Sequence, residues 1–174
     1  MQKGNTLKLM GATNKSTTQT CYLRIFRLGW YSGSGARKMY HSDGFPVNPG
    51  VTWNKNSNNN NDLYKNGPSW PCLFELGIPQ DWCEGLYVVK IEDENGLATL
   101  APFWLTNPEE VEGVTVCFSP VNIQARNWWG GASSTQVING KPMIAKGLYH
   151  QVGTDTLSLN RPMYNARAGD VLRW

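Results

Sequence analysis

The sequence predicts a mainly β protein: an immunoglobulin-like antiparallel β-sandwich followed by a short, partial α/β segment. The chain has 18 glycines and 10 prolines among 174 residues, a density that is typical of short strands joined by turns and unfavourable to long helices. Hydrophobic residues make up 40% of the chain and charged residues 17%. This balance supplies a packed core and is unlike that of a disordered chain.

The predicted strands follow one another through the first hundred residues. They cover residues 6–9, 21–28, 38–41, 72–76, 85–92 and 99–105. The clearest pattern lies in 85–92, where Tyr87, Val89 and Ile91 alternate onto one face. We expect these three side chains to share one core with Leu23 and Phe103. The strand 21–28 carries apolar residues on both faces, which predicts either a bulge or a strand covered on both sides.

Turns and loops separate these strands. Residues 29–37, Gly-Trp-Tyr-Ser-Gly-Ser-Gly-Ala-Arg, form a glycine-rich turn, and residues 93–96, Asp-Glu-Asn-Gly, form a hairpin loop. Trp30 and Tyr31 in the first turn either contact a neighbouring domain or pack into the core. Residues 54–62 are almost entirely polar and rich in asparagine, so we expect a mobile surface loop there.

A polar break at residues 107–110 predicts a domain boundary, which divides the chain into a sandwich domain, 1–107, and a partial α/β segment, 108–174. Residues 113–118, Gly-Val-Thr-Val-Cys-Phe, have apolar side chains on both faces, as in a parallel strand covered by helices. Residues 156–162 predict a further strand and turn.

Charge and hydropathy exclude several classes of partner. The net charge is +3, and no run of lysine and arginine exceeds two residues, which argues against a nucleic-acid interface. No apolar run approaches the roughly 18 residues of a membrane span. Residues 1–5 lack the apolar run of a secretory signal, so the protein is predicted to be cytoplasmic unless such a segment has been removed.

The four cysteines are Cys21, Cys72, Cys83 and Cys117. None belongs to a CxxC pair, which argues against a zinc knuckle. We expect free thiols, and a disulfide between Cys72 and Cys83 is the alternative.

Four segments in the same order resemble motifs of the large (β) subunit of the N,N-dimethylformamidase family. They are Ile-Phe-Arg-Leu-Gly-Trp-Tyr-Ser-Gly-Ser-Gly-Ala-Arg at 25–37, Ile-Pro-Gln-Asp-Trp-Cys-Glu-Gly-Leu-Tyr at 78–87, Ala-Pro-Phe at 101–103 with Ala-Arg-Asn-Trp-Trp-Gly-Gly at 125–131, and Ser-Leu-Asn-Arg-Pro at 158–162. The resemblance implies an immunoglobulin-type sandwich and an α/β domain similar to glutamine amidotransferases. It also implies hydrolysis of the amide C–N bond of a small formamide at an iron site built from two tyrosines and a glutamate.

The sequence departs from the family pattern at residues that matter for the iron site. Arg126 stands where the family has a tyrosine, and a guanidinium group cannot ligate a metal. Met163 stands at another family tyrosine, with Tyr164 one place later. Tyr149 and Tyr164 therefore remain the candidate metal ligands, and we expect no cofactor in this chain, whereas a full-length relative would hold iron. The remainder of the α/β domain, or a complementary chain, would be the partner, and an oligomer is left open.

The candidate substrate cleft is the segment Arg126, Asn127, Trp128, Trp129, Gly130 and Gly131. Paired glycines let the backbone approach a ligand closely, whereas the alternative is a tight turn with two packing tryptophans. No catalytic residue can be assigned, because no Ser-His-Asp or Cys-His set is evident.

Two hypotheses of function remain. One is a fragment or relative of an iron-dependent N,N-dimethylformamidase-like amide hydrolase that is inactive alone. The other is a non-catalytic, aromatic-rich β-sandwich module that binds carbohydrate or a protein partner.

Overall fold

The computed structural model describes residues 1–51, 63–107, 127, 129, 137–138 and 141–142. The chain divides into two compact units, of which one comprises Met1–Val51 with Trp70–Val114 and the other Thr52–Ser69 with Thr115–Trp174. The predicted loop 54–62, the predicted strand 113–118 and the predicted tail 156–162 all lie outside the described residues. In the described part of the chain, no helix is long and apolar enough to cross a membrane.

The described elements are mostly strands, which confirms the prediction of a mainly β, antiparallel fold. The strands are β1 (Thr6–Met10), β2 (Gln19–Leu28), β3 (Ala36–His41), β4 (Phe45–Val47), β5 (Cys72–Gly77), β6 (Gly85–Asp93), β7 (Ala98–Leu105), β8 (Val137–Ile138) and β9 (Lys141–Pro142). A 3₁₀ turn, Tyr31–Gly33, follows β2, and a single helical turn, α1, spans Leu63–Asn66.

The larger sheet of the first unit has five antiparallel strands. Its order is β3-β2-β6-β7, and β4 pairs with the beginning of β2. The second sheet of this unit is the antiparallel pair β1-β5. In the other unit, β8 and β9 form a short antiparallel ladder between residues 137–138 and 141–142.

Both sheets of the first unit contribute to one apolar core. Alternation along β1 buries Leu7 and Leu9 while the residues between them stay exposed. These side chains join a cluster that also includes Leu23, Ile25, Ile78, Trp82, Tyr87, Val89 and Leu105. The two sheets therefore enclose one core, as the layers of a β-sandwich do.

The residues predicted for the core occupy it. Leu23, Tyr87 and Val89 are 0%, 0% and 2% exposed, and the half-buried Ile91 and Phe103 pack against them. The Tyr87 ring stacks on the rings of Trp82 and Phe103, with centroid distances of 5.1 and 5.2 Å. Aromatic stacking thus reinforces the centre of β6 beyond simple area burial.

The two apolar faces of β2 also have a structural explanation. Its register with β3 shifts between Ile25 and Phe26, whose partners are Tyr40 and Lys38, so the extra residue is Met39 on β3, whereas β2 pairs with β6 without a shift. Ile25 faces the core with 0% exposure, whereas Phe26 and Leu28 are half-buried. The bulge predicted for β2 is therefore not found there, and by alternation Phe26 and Leu28 lie on the second face of β2, where both are half-buried.

Candidate functional site

The glycine-rich turn after β2 is held by one arginine. The Arg27 guanidinium donates through Nε and Nη2 to the carbonyl oxygen of Glu84, at 3.1 and 2.8 Å, and through Nη1 to the Tyr31 hydroxyl, at 2.6 Å. The Arg27 Cζ atom also lies 5.9 Å from the centroid of the Tyr31 ring. The hydrogen bond to Tyr31 raises the pKa of Arg27, so the guanidinium is a permanent charge at this place.

The backbone of this turn is strained. Tyr31 and Ser32 both have left-handed backbone conformations, with φ of +40° and +56°. Residues other than glycine rarely adopt these conformations. Gly33 and Gly35 continue the turn with φ of +91° and +74°. The arginine contact holds Tyr31 in its place, and the same turn leaves Trp30 81% exposed.

The turn 82–85, whose Glu84 carbonyl accepts the hydrogen bonds of Arg27, is also held by the buried Tyr87. The Tyr87 hydroxyl donates to the carbonyl oxygen of Cys83 at 2.6 Å. Glu84 forms an ion pair with Lys3. Burial raises the pKa of Tyr87, so this hydroxyl stays a neutral donor at physiological pH. The turn 82–85 is thus tied to β2, to β6 and to the N-terminal segment.

Two of the sequence motifs meet here. Arg27 and Tyr31 belong to the segment 25–37, and Glu84 and Tyr87 belong to the segment 78–87. Arg27 lies directly opposite Tyr87 in the β2–β6 register. Sequence reasoning missed the contact between Arg27 and the Glu84 carbonyl, because a main-chain acceptor 57 positions away leaves no signal in side-chain spacing.

Only two of the predicted cleft residues lie within the described part of the chain. Asn127 is 1% exposed and Trp129 is 7% exposed. The Asn127 Oδ1 accepts a hydrogen bond of 3.0 Å from the Trp129 backbone N–H, which is an Asx turn. Arg126, Trp128, Gly130 and Gly131 lie outside the described residues, as do the candidate ligands Tyr149 and Tyr164.

The described cysteines are free thiols. Cys21 is buried, whereas Cys72 and Cys83 are exposed and do not form the alternative disulfide. Burial, together with the nearby Asp93 and Glu94, raises the pKa of Cys21 and suppresses its thiolate form. Cys117 lies outside the described residues.

No group of three or more histidine, cysteine, aspartate or glutamate side chains within the described ranges is placed to hold a metal ion. Several described acidic residues form ion pairs instead, among them Glu75 with Lys8 and Glu84 with Lys3. Glu92 accepts hydrogen bonds from Lys90 and Arg24 on the outer face of the sheet, and these bonds lower its pKa.

Comparison with known proteins identifies a family. Residues 22–174 match the family model described as N,N-dimethylformamidase beta subunit-like, C-terminal. No curated protein matches the chain. Among solved structures, a 1.4 Å crystal structure of an uncharacterized protein from Bacillus anthracis str. Ames is 11% identical and covers 61% of this chain and 75% of its own, with a TM-score of 0.35. A likeness this distant has no weight for fold or function.

Proposed function

The chain belongs to the N,N-dimethylformamidase β-subunit-like family, and we propose that it is a part of an iron-dependent amide hydrolase that does not hydrolyse formamides by itself. The observation that carries this proposal is the family match, which extends from β2 to the last residue. The proposed substrate class of the complete enzyme is a small linear amide, cleaved at its C–N bond.

The proposal of inactivity rests on the ligands. A mononuclear iron site needs several donors converging from separate elements. By the resemblance of its motif, Arg126 stands where the family has a tyrosine, and a guanidinium group cannot coordinate a metal. The remaining phenolic candidates, Tyr149 and Tyr164, have no assigned carboxylate partner. Iron bound in a complete relative would polarise the amide carbonyl or a bound water.

The rest of the α/β domain, or a complementary chain, would supply what this chain lacks. The sandwich would then serve as a rigid support, because its two sheets share one core and Arg27 ties the glycine-rich turn to the turn 82–85. Sites supported by such elements keep a more constant geometry than sites on free loops.

Metal analysis and a formate-release assay test the proposal on the purified chain. We expect iron far below one per chain and no formate from N,N-dimethylformamide. Arg126→Tyr introduces the tyrosine of the family motif and tests whether that residue limits iron binding. Arg24→Tyr is its control, because it makes the same substitution at a surface ion pair far from the motif in the sequence. Near-stoichiometric iron that is lost on Tyr149→Phe or Tyr164→Phe would contradict the proposal, as would formate release by the parent chain.

A second candidate function is favoured by one described residue. Trp30 is 81% exposed at the tip of a turn whose neighbour Tyr31 is fixed by Arg27. Exposed aromatic rings on rigid turns stack on sugar rings or anchor protein partners. A non-catalytic binding module would lose affinity at least tenfold for a glycan on Trp30→Ala and keep it on Leu97→Ala, which removes another exposed apolar side chain. Equal loss in both variants would argue against this function.

A further inference from the structure

The five-stranded sheet has two outer strands of opposite character. The outer strand β3 carries Arg37 and Lys38, which are both exposed. At the other side, residues 96–102 read Gly-Leu-Ala-Thr-Leu-Ala-Pro and contain no charge. Charged side chains on an edge strand discourage pairing with another chain, whereas a long uncharged edge favours it. The β3 edge is therefore protected against pairing with another chain, whereas the β7 edge is not.

Solvent reaches the uncharged edge. Ala98, Thr99 and Leu100 form the exposed first part of β7. Leu100 is 54% exposed, and Leu97, immediately before the strand, is 64% exposed. Neighbouring aliphatic side chains with this much exposure are typical of surfaces that bind another molecule.

The backbone pattern of β7 can be read from its contacts. The Asp93 N–H donates to the Leu97 carbonyl oxygen at 3.0 Å, so the odd-numbered positions of β7 form the hydrogen-bonded pairs with β6. The Thr106 N–H donates outward to the Met1 carbonyl oxygen at 2.9 Å. Even-numbered positions of β7 therefore present their backbone groups to the outer edge, where the N-terminal amine of Met1 already donates to the carbonyl oxygen of Trp104 at 3.1 Å.

Pro102 agrees with this assignment. It lies opposite Val88 in the β6–β7 register, at an even-numbered position where β6 requires no N–H donor. By the same alternation, Ala98 and Leu100 each present one N–H and one carbonyl oxygen outward. No hydrogen bond between described residues occupies these groups.

We propose that β7 pairs antiparallel with β7 of a second copy of this chain, about a twofold axis at Thr99. In this register Ala98 of one copy faces Leu100 of the other, and about four inter-chain hydrogen bonds satisfy the outward groups of both. Their side chains lie on the same outer face of the sheet and cover one another. The edge is thus complementary to itself, as an isologous interface requires.

Two features make the pair closed and limited in size. Pro102 has no N–H and ends the ladder on one side, and the hairpin 93–96 ends it on the other. The charged strand β3 prevents continued addition at the opposite edge, so fibres do not form. The paired segment is shorter than a standard interface of about 1,200–2,000 Å² requires, so the expected dissociation constant is roughly 10 μM to 1 mM.

Sedimentation of the full chain over a range of concentrations tests the pairing. The parent should show a monomer–dimer equilibrium that Leu100→Lys weakens at least tenfold, because the lysine of each copy lies beside the edge of the other. Met10→Lys is the matched control, since Met10 is 50% exposed on β1 of the other sheet. A parent that stays monomeric, or a dimer that Met10→Lys weakens as much as Leu100→Lys does, would overturn the proposal.

Cross-linking tests the register independently of affinity. In a Cys72→Ser/Cys83→Ser/Cys117→Ser background, Thr99→Cys should give an intermolecular disulfide on mild oxidation, because the two Thr99 positions face each other in a pair about 4.5 Å apart between Cα atoms. Ser34→Cys, exposed in the glycine-rich turn, should not do so under the same conditions. Equal cross-linking of both variants, or of neither, would contradict the register.

Discussion

Arg27 shows how a single side chain can connect elements that lie far apart in the sequence. Its guanidinium joins the end of β2 to the carbonyl of Glu84 and to the hydroxyl of Tyr31. Charge-assisted hydrogen bonds of this kind are stronger than neutral ones. They also offset the cost of the left-handed conformations at Tyr31 and Ser32, which is of order 1–3 kcal/mol per residue.

Replacing Arg27 should therefore destabilise the sandwich. Arg27→Ala removes three hydrogen bonds and should lower the free energy of unfolding by about 2–3 kcal/mol. Arg27→Lys should recover less than half of this loss, because one ammonium group cannot reproduce the planar fork of a guanidinium. Urea denaturation followed by fluorescence measures both values, and Lys38→Ala on the exposed edge strand is the control. A lysine variant as stable as the parent would show that charge alone is sufficient.

At the scale of the element, β6 is one of the two inner strands of the larger sheet. It pairs with β2 on one side and with β7 on the other, so its inward side chains are enclosed on both sides. Tyr87 and Val89 are almost completely buried, and the half-buried Ile91 packs against them. A charge placed on this face has no partner and no route to water.

Val89→Asp should consequently cost about 3–5 kcal/mol and unfold a large fraction of the chain at room temperature. Thr6→Asp is a matched control, because Thr6 is exposed on β1 and the same charge there should change stability by less than about 0.5 kcal/mol. Thermal melting and near-ultraviolet circular dichroism give the comparison. A Val89→Asp protein with the same melting temperature as the parent would show that Val89 is not a core residue.

The elements also show how far sequence reasoning reaches. Alternation predicted β6 because one face is buried and the pattern is local. It missed β4, whose three residues Phe45–Val47 are too few for a period and which forms only by pairing with the start of β2. The Arg27–Glu84 contact was equally hidden, since its acceptor is main chain. Asn127 stays a predicted cleft residue, because its Asx turn to Trp129 is a local contact that does not decide whether the segment lines a cleft.

At the scale of the whole molecule, the sandwich has the contacts of an independent folding unit. Among the described residues, every member of its core cluster comes from Met1–Val51 or Trp70–Val114. The two pieces of chain meet where they are interrupted, because the Trp70 indole N–H donates to the carbonyl oxygen of Val51 at 2.7 Å. A short flexible linker can therefore span residues 51 to 70 without strain.

A chain that ends at Val114, with residues 52–69 replaced by a glycine-serine linker of about six residues, should fold by itself. We expect near-ultraviolet circular dichroism from the enclosed Trp82 and Tyr87, and one cooperative urea transition. Val89→Asp in the same shortened chain should abolish both signals, which distinguishes a packed core from a collapsed chain with strands only. A shortened parent that lacks near-ultraviolet signal, while the full chain has it, would mean that the sandwich depends on residues of the other unit. The support assigned to the sandwich in the proposed hydrolase would then belong to the whole chain.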